Sequence, residues 1–272
     1  MKAAEIAPGT QAVPAVYSET ELAASLGALG VVEGDCLFIH SSLKSLGKFV
    51  SRQGQNGPEG LFNALIEIIG ESGTLVVPTF NFGFCQGKPF DRQNTPSEKM
   101  GAFSEFVRRH PSAQRSRHPF QPVAAVGRQA AEIADARARS AFSEGSAFEV
   151  MLTRKCKILF FGVDFVETFV HVAEERANVP YRFWKTFNGE FIDRGVSERV
   201  SVDFFARKLE LVPEPRIDND KLGRDLRARK IIASARLGGG EIAVCNAGDL
   251  VNGLIERFRE NPCYALKHEH QH

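Results

Sequence analysis

The chain is poor in residues that mark several common protein classes. It has only five cysteines (Cys36, Cys85, Cys156, Cys245 and Cys263), odd in number, widely spaced and never arranged as C-x-x-C. That pattern argues against a disulfide framework and makes a reducing cytoplasm the expected location. Cys36, Cys156 and Cys245 lie in or beside apolar strand-like runs, where thiols serve as small core residues. There is a single tryptophan, Trp184, against 22 phenylalanines, so a core and cleft of phenyl rings are expected. No apolar stretch is long enough to span a bilayer, and the N-terminus lacks a charged-then-apolar leader pattern. Charge of one sign is missing too: 34 Lys and Arg face 33 Asp and Glu, for a net charge of +1. A nucleic-acid surface needs clustered cations, so neither nucleic acid nor a membrane is expected as a partner.

Several catalytic signatures are absent as well. There is no G-x-x-x-x-G-K-[ST] loop, no strand-linked G-x-G-x-x-G, no G-x-S-x-G elbow and no H-E-x-x-H pair. No hexapeptide repeat announces a left-handed β-helix. His40, His110, His118 and His171 are scattered without paired-ligand spacing, so no metal is expected. The terminal His268, His270 and His272 read as an unstructured end.

What is present is alternation. The chain is 43% hydrophobic over 272 residues, enough for one large or two small domains. Ser18 and Glu21 form a capping box for a helix from about Glu19 to Leu29. Leu37–Ile39, Thr74–Val77, Val123–Val126 and Ile158–Phe161 read as buried strands. Pro58–Ile69 reads as a helix, and residues 41–58 as a loop. A second loop, Pro78–Lys99, is long and rich in Phe, which argues for function rather than disorder. Residues 181–212 alternate as antiparallel strands do. Arg224–Lys230 and Asp249–Phe258 read as helices around a strand at Ile242–Cys245. The expected fold is a three-layer α/β/α sandwich with a smaller antiparallel C-terminal portion. Residues 1–17 are assigned to an extension, 18–262 to one domain (18–180 catalytic, 181–262 acceptor-side), and 263–272 to a tail.

The most informative stretch runs from Phe160 to Glu174. A strand closed by Gly162 leads into a helix opened by Glu167 and Thr168. Thr168, His171 and Glu174 then recur at three-residue spacing on one face. A hydroxyl, an imidazole and a carboxylate so placed can form a proton-transfer site. A structural histidine, a capping Thr168 and a hydrogen-bonding Glu174 are the alternatives.

Blocks elsewhere carry a resemblance. Gly34–Gly47 holds His40-Ser41-Ser42-Leu43-Lys44, and Gly73–Phe80 ends in Pro78-Thr79-Phe80. Further on come Arg115-Ser116-Arg117-His118-Pro119, Glu144-Gly145-Ser146, Thr168–Glu174 and Asn178-Val179-Pro180-Tyr181. Their order and spacing resemble the aminoglycoside 3-N-acetyltransferase family from about Glu19 to Phe258. The resemblance implies acetyl-CoA as donor and an amine on a sugar-like small molecule as acceptor, in a monomer or homodimer. His171 would be the general base, Thr168 the oxyanion donor and Glu174 the orienting carboxylate. CoA would meet His40, Ser41, Ser42, Leu43 and Lys44, then Pro78, Thr79, Phe80, Arg115 and Ser116. His40 itself reads as a buried, hydrogen-bonded residue rather than a second base. Glu167 stands where drug-modifying members typically carry Asn. Arg207 and Lys208 lie where those members carry an acidic block, which favours a nucleotide-linked amino sugar over a polycationic drug. A silent CoA-binding scaffold is the remaining alternative.

Overall fold

The computed structural model describes residues 15–52 and 54–267; the first fourteen residues and the histidine-rich end from His268 lie outside the described residues. Strand β1 (Val16–Ser18) runs directly into helix α1 (Glu19–Ala28). The expected capping box is made: the Glu21 amide donates to Ser18 Oγ at 3.2 Å, and the Ser18 amide donates to Glu21 Oε2 at 2.8 Å. Then come β2 (Cys36–Ser41), α2 (Leu43–Leu46), β3 (Lys48–Val50) and α3 (Gly57–Ile69). The stretch 41–58 therefore holds a short helix and a strand rather than only a loop. Strand β3 pairs in parallel with β1 and packs Phe49 on Tyr17, ring centroids 5.4 Å apart. That long-range contact also makes Tyr17 a core residue instead of part of an extension.

Strand β4 (Thr74–Pro78) opens the long loop, which contains a 3-10 turn at Gly83–Gln86 and β5 (Phe90–Asp91). It is followed by α4 (Gly101–Arg109), β6 (Gln114–Arg115), β7 (Val123–Gly127), α5 (Ala130–Asp135) and α6 (Ala147–Thr153). Strand β8 (Lys157–Phe161) leads through a 3-10 turn into α7 (Val170–Ala177). A hairpin of β9 (Arg182–Asp193) and β10 (Val196–Arg207) precedes α8 (Asn219–Ala228). The chain closes with β11 (Ala233–Leu237), β12 (Gly240–Asn246) and α9 (Ala247–Glu260). None of these helices is long and apolar enough to cross a membrane.

Seven strands form the central sheet in the order β11-β12-β8-β2-β4-β7-β6. Its middle, β8-β2-β4, is parallel and its flanks are antiparallel. Period-two alternation divides its side chains between two cores. Phe38, Val76, Ala125, Ile158 and Phe160 face α5, α6, α7, α8 and α9. Leu37, Ile39, Leu75, Val77, Leu159 and Phe161 face α1, α3 and α4. This is the expected three-layer arrangement. The smaller sheet, β10-β9-β5, has its own phenyl core of Phe84, Phe90, Phe120 and Phe191. The phenylalanines at 84 and 90 explain why the long loop is ordered.

Two boundaries differ from expectation. Strands β11 and β12 join the central sheet, so residues beyond 181 help build the catalytic layer. Residues assigned to the tail also pack: Cys263, Ala265 and Leu266 are buried, and Leu266 bridges Ile217. Both depend on pairing partners far away in the chain.

The C-terminal ends of the three parallel strands lie side by side, where open α/β sheets place ligands. Gly162 leaves β8 there with φ +68°, and a Cβ on it would lie 2.7 Å from the Ser42 carbonyl oxygen and 2.8 Å from Leu46 Cγ. Gly162→Ala is therefore expected to lose more than the roughly 1–2 kcal/mol of left-handed strain alone. Urea unfolding of the variant, read by circular dichroism, measures the loss.

Candidate active site

Beyond Gly162 the chain makes the 3-10 turn Glu167–Phe169 before the regular helix begins at Val170. The helix thus starts three residues later than the sequence suggested. Thr168 is buried, and neither the turn nor α7 has a side-chain cap. A cleft of about 400 Å³ opens at the strand ends, lined by His40 and Ser41 from β2, Pro78 and Phe80 after β4, and Glu167, Thr168 and His171. Phe82, Lys99, Met100, Gly101, Gln121, Val163 and Val166 complete its wall.

His171 is oriented from beneath. Its Nδ1 lies 2.6 Å from Glu174 Oε2. A carboxylate can only accept, so Nδ1 carries the proton, and in the neutral tautomer fixed this way Nε2 holds the lone pair. Glu174 is fully buried, yet well partnered: Tyr181 donates its hydroxyl to Oε1 at 2.8 Å, and Arg182 Nη2 sits 2.9 Å from Oε2. Arg182 Nη2 is also 3.3 Å from His171 Nδ1, a longer contact than the one Glu174 makes. Burial pushes the Glu174 carboxyl up, but the Arg182 charge and the His171 hydrogen bond outweigh it and hold it below the ordinary range. Burial first, and then the Glu174 charge, raise the Tyr181 phenol, which keeps it a donor. The Phe142 ring rests 5.4 Å from the imidazole and limits its rotation.

Tyr181 and Arg182 arrive through the turn after α7, where Asn178 adopts φ 47°. Asn tolerates this left-handed position, and Pro180 cannot continue a helix. The Asn178–Tyr181 block stood out only as part of the family resemblance, and Arg182 was not singled out from the sequence. Lys99 and Gln121 were missed as well, because nothing local marks them.

The expected CoA contacts divide. His40, Ser41, Pro78 and Phe80 line the cleft. Burial pulls the His40 imidazole down to about 3, so it is neutral, and its Nε2 is buried without a partner. It is therefore not the hydrogen-bonded residue expected. Ser42 contacts Ser45 Oγ to Oγ at 2.9 Å, and Leu43 begins α2 beside them. Lys44 is exposed and is not among the residues lining the cleft. Thr79 is buried and donates its hydroxyl to the Pro122 carbonyl at 3.1 Å. Arg115 turns away from the cleft: it donates to Thr79 Oγ1 at 3.0 Å, to the Thr79 carbonyl at 2.6 Å and to the Thr95 carbonyl at 2.5 Å. With those donors engaged and its side chain buried, it braces the long loop instead of lining the cleft or forming a surface ion pair. Ser116 Oγ accepts from the Val123 amide at 2.9 Å and lines a neighbouring cavity that shares Gln121 with the cleft.

On its other side His171 borders a second cavity, about 470 Å³, with Glu167, Arg182, Phe204, Arg207, Glu214, Arg216, Ile217 and Lys267. Glu167 lines both spaces and its Oε2 accepts from Asn219 Nδ2 at 2.6 Å. Arg207 faces this cavity and pairs with Glu214 at 3.0 Å. Lys208 does not line it; just past the end of β10, its amide bonds the Tyr181 carbonyl at 3.0 Å. Among the described residues no cluster of His, Cys, Asp or Glu is arranged to hold a metal.

Replacing Glu174 by Gln would leave Arg182 a buried cation without its counter-charge, a change that typically costs about 3–5 kcal/mol. Because the folded carboxyl titrates below its unfolded value, its contribution is complete above the unfolded pKa and is lost as pH falls through the folded one. Urea unfolding from pH 7 downward should therefore show a wild-type to Glu174→Gln gap that closes only below about pH 4.

The family described as aminoglycoside 3-N-acetyltransferase matches residues 38–259. Aminoglycoside N(3)-acetyltransferase IV of Salmonella sp is 34% identical over 168 residues, 61% of this chain and 61% of that protein. The chain is thus aligned with less than two thirds of that relative's length. Aminoglycoside N(3)-acetyltransferase VII of Streptomyces paromomycinus is 27% identical over 264 residues, covering 86% of this chain and 89% of its own. Among solved structures, apo AAC(3)-IVa superposes with a TM-score of 0.73 at 25% identity, covering 93% and 92% of the two chains. AAC-IIIb, solved as a binary complex with CoASH, shares the fold with a TM-score of 0.78 at 20% identity, covering 90% and 97%. The family match spans the chain from β2 to α9, and it includes Thr168, His171, Glu174, Tyr181 and Arg182. The chain belongs to the aminoglycoside 3-N-acetyltransferase family, a family of acyltransferases.

Proposed function

We propose that the protein transfers an acetyl group from acetyl-CoA to an amine of an amino-sugar-containing acceptor, with His171 as general base. One observation carries this reading: a single imidazole, its Nδ1 tied to a buried carboxylate, borders both the strand-end cleft and the second cavity. A donor in the first and an acceptor in the second would meet at His171. The AAC-IIIb complex with CoASH supports the choice of donor.

The cleft suits a pantetheine arm, which is apolar with two amides. Pro78 and Phe80 offer apolar wall, while His40 Nε2 and Gln121 Oε1 are buried polar atoms without partners. Ser41, Ser42 and Leu43 would sit at the pyrophosphate end. Lys99 takes the place proposed for Lys44: it lines the cleft beside the start of α4, whose first turn has no side-chain cap. Bound there, acetyl-CoA supplies an activated thioester. Transfer needs a neutral amine, so His171 Nε2 takes the ammonium proton while Glu167 holds the charged form nearby. As the new C–N bond forms and the C–S bond breaks, Thr168 Oγ1 is the donor for the oxyanion, and the proton that the nitrogen sheds on becoming an amide passes to the thiolate, which leaves as CoA thiol. The strand-end half of the site would carry the donor and the chemistry, and the stretch from Arg182 to Lys267 most of the acceptor wall. The oriented His171–Glu174 pair argues against a silent scaffold.

His171→Ala is expected to lower kcat by about 10²–10⁴-fold, with CoA affinity nearly unchanged. Thiol release from acetyl-CoA with a purified, folded variant measures it; near-normal turnover would remove His171 from the mechanism. Lys99→Ala is expected to raise KM for acetyl-CoA while leaving kcat similar, the signature of lost uniform binding. Unchanged CoA affinity by calorimetry would return Lys99 to a plain surface charge.

A further inference from the structure

The charges of the second cavity do not balance locally. Arg216 and Lys267 stand directly opposite each other across the Ile217–Leu266 bridge, and the Lys267 amide donates to the Arg216 carbonyl at 2.9 Å. Like charges placed so repel. A single carboxylate, Glu214, serves both Arg207 and Arg216 at 3.0 Å each, and Lys267 forms no ion pair with a described residue. Arg182, which lines the same cavity, keeps its Nε buried without a partner. Three cations around one carboxylate, with an unsatisfied buried donor beside them, make a place for an anion. The other carboxylate of the cavity, Glu167, belongs to the His171 end.

From this we infer that the acceptor joins one amine, met by Glu167 and His171, to an anionic group, phosphate or carboxylate, held by Arg216, Lys267 and Arg207. The inference rests on the acyl-transfer reading of His171 and names the class of molecule that site takes. Paired guanidinium and ammonium donors are strong ligands for either oxyanion. The same cations repel a drug bearing several ammonium groups, so they select against the polycation as well as for the anion.

Two assays separate the site from the reaction. Calorimetric titration of glucosamine 6-phosphate, 2-amino-2-deoxyglucuronate, glucosamine and kanamycin into the full chain reads binding without turnover. Thiol release from acetyl-CoA with the same four amines reads transfer. The anionic amines are expected to exceed glucosamine by about tenfold in affinity and in kcat/KM, with kanamycin poorest. In Arg216→Glu with Lys267→Glu, or in Lys267→Glu alone, that preference should shrink toward one. A larger advantage for the phosphate ester than for the uronate would support the inference with phosphate as the anion. Anion preference in binding without transfer to any amine would keep the anion site and reject the acyl-transfer reading. Equal binding of glucosamine and its 6-phosphate, or kanamycin acetylated as well as the anionic amines, would overturn the inference and leave N-acyl transfer standing.

Discussion

A carboxylate buried away from all solvent is the constraint around which the site is organised. Taking Glu174 out of water is costly, and the charge persists only because three donors surround it: the His171 imidazole, the Tyr181 hydroxyl and the Arg182 guanidinium. They come from two pieces of local geometry. His171 lies one turn earlier on α7, while Tyr181 and Arg182 return under the helix through the Asn178 turn. Arg182 also donates to the Phe205 carbonyl at 3.0 Å, which ties the carboxylate to the hairpin. The imidazole tautomer, the helix end and the docking of β9 and β10 therefore depend on one buried charge.

The central sheet decides where that charge can act. Three parallel strands end together, and each contributes to the cleft at its C-terminal end: His40 and Ser41, Pro78 and Phe80, then Thr168 and His171 beyond β8. Parallel strands leave their ends open because the chain must cross back over a face of the sheet before returning. The hairpin and the segment from Glu214 to Lys267 close the other side of His171, which gives one base two differently furnished spaces.

Those two spaces differ in polarity in a way that matches two kinds of ligand. The cleft offers apolar wall with isolated, unpartnered polar atoms, while the second cavity is dominated by charged side chains. Cations there are partly neutralised by Glu214 and Glu174, so the balance is decided by pairing rather than by counting residues. Lys208 illustrates the point: it is adjacent in sequence to Arg207 yet does not line the cavity, while Lys267, sixty residues away, does.

Period and punctuation in the sequence determined much of this protein. Apolar runs specified the buried strands, Ser18 and Glu21 specified the start of α1, and the spacing of His171 and Glu174 already placed those two on one helix face, with Thr168 in the turn before it. Those are local properties, set by side-chain direction and capping chemistry within a few residues. Local spacing could not tell that Arg115 would spend its guanidinium on the backbone of Thr79 and Thr95, or that His40 would be left without a partner. Nor could it bring Arg182 beneath Glu174, or Lys267 beside Arg216. Those outcomes belong to the tertiary structure, because whether a buried polar group is a brace, an orphan or a ligand depends on which distant groups share its low-dielectric surroundings.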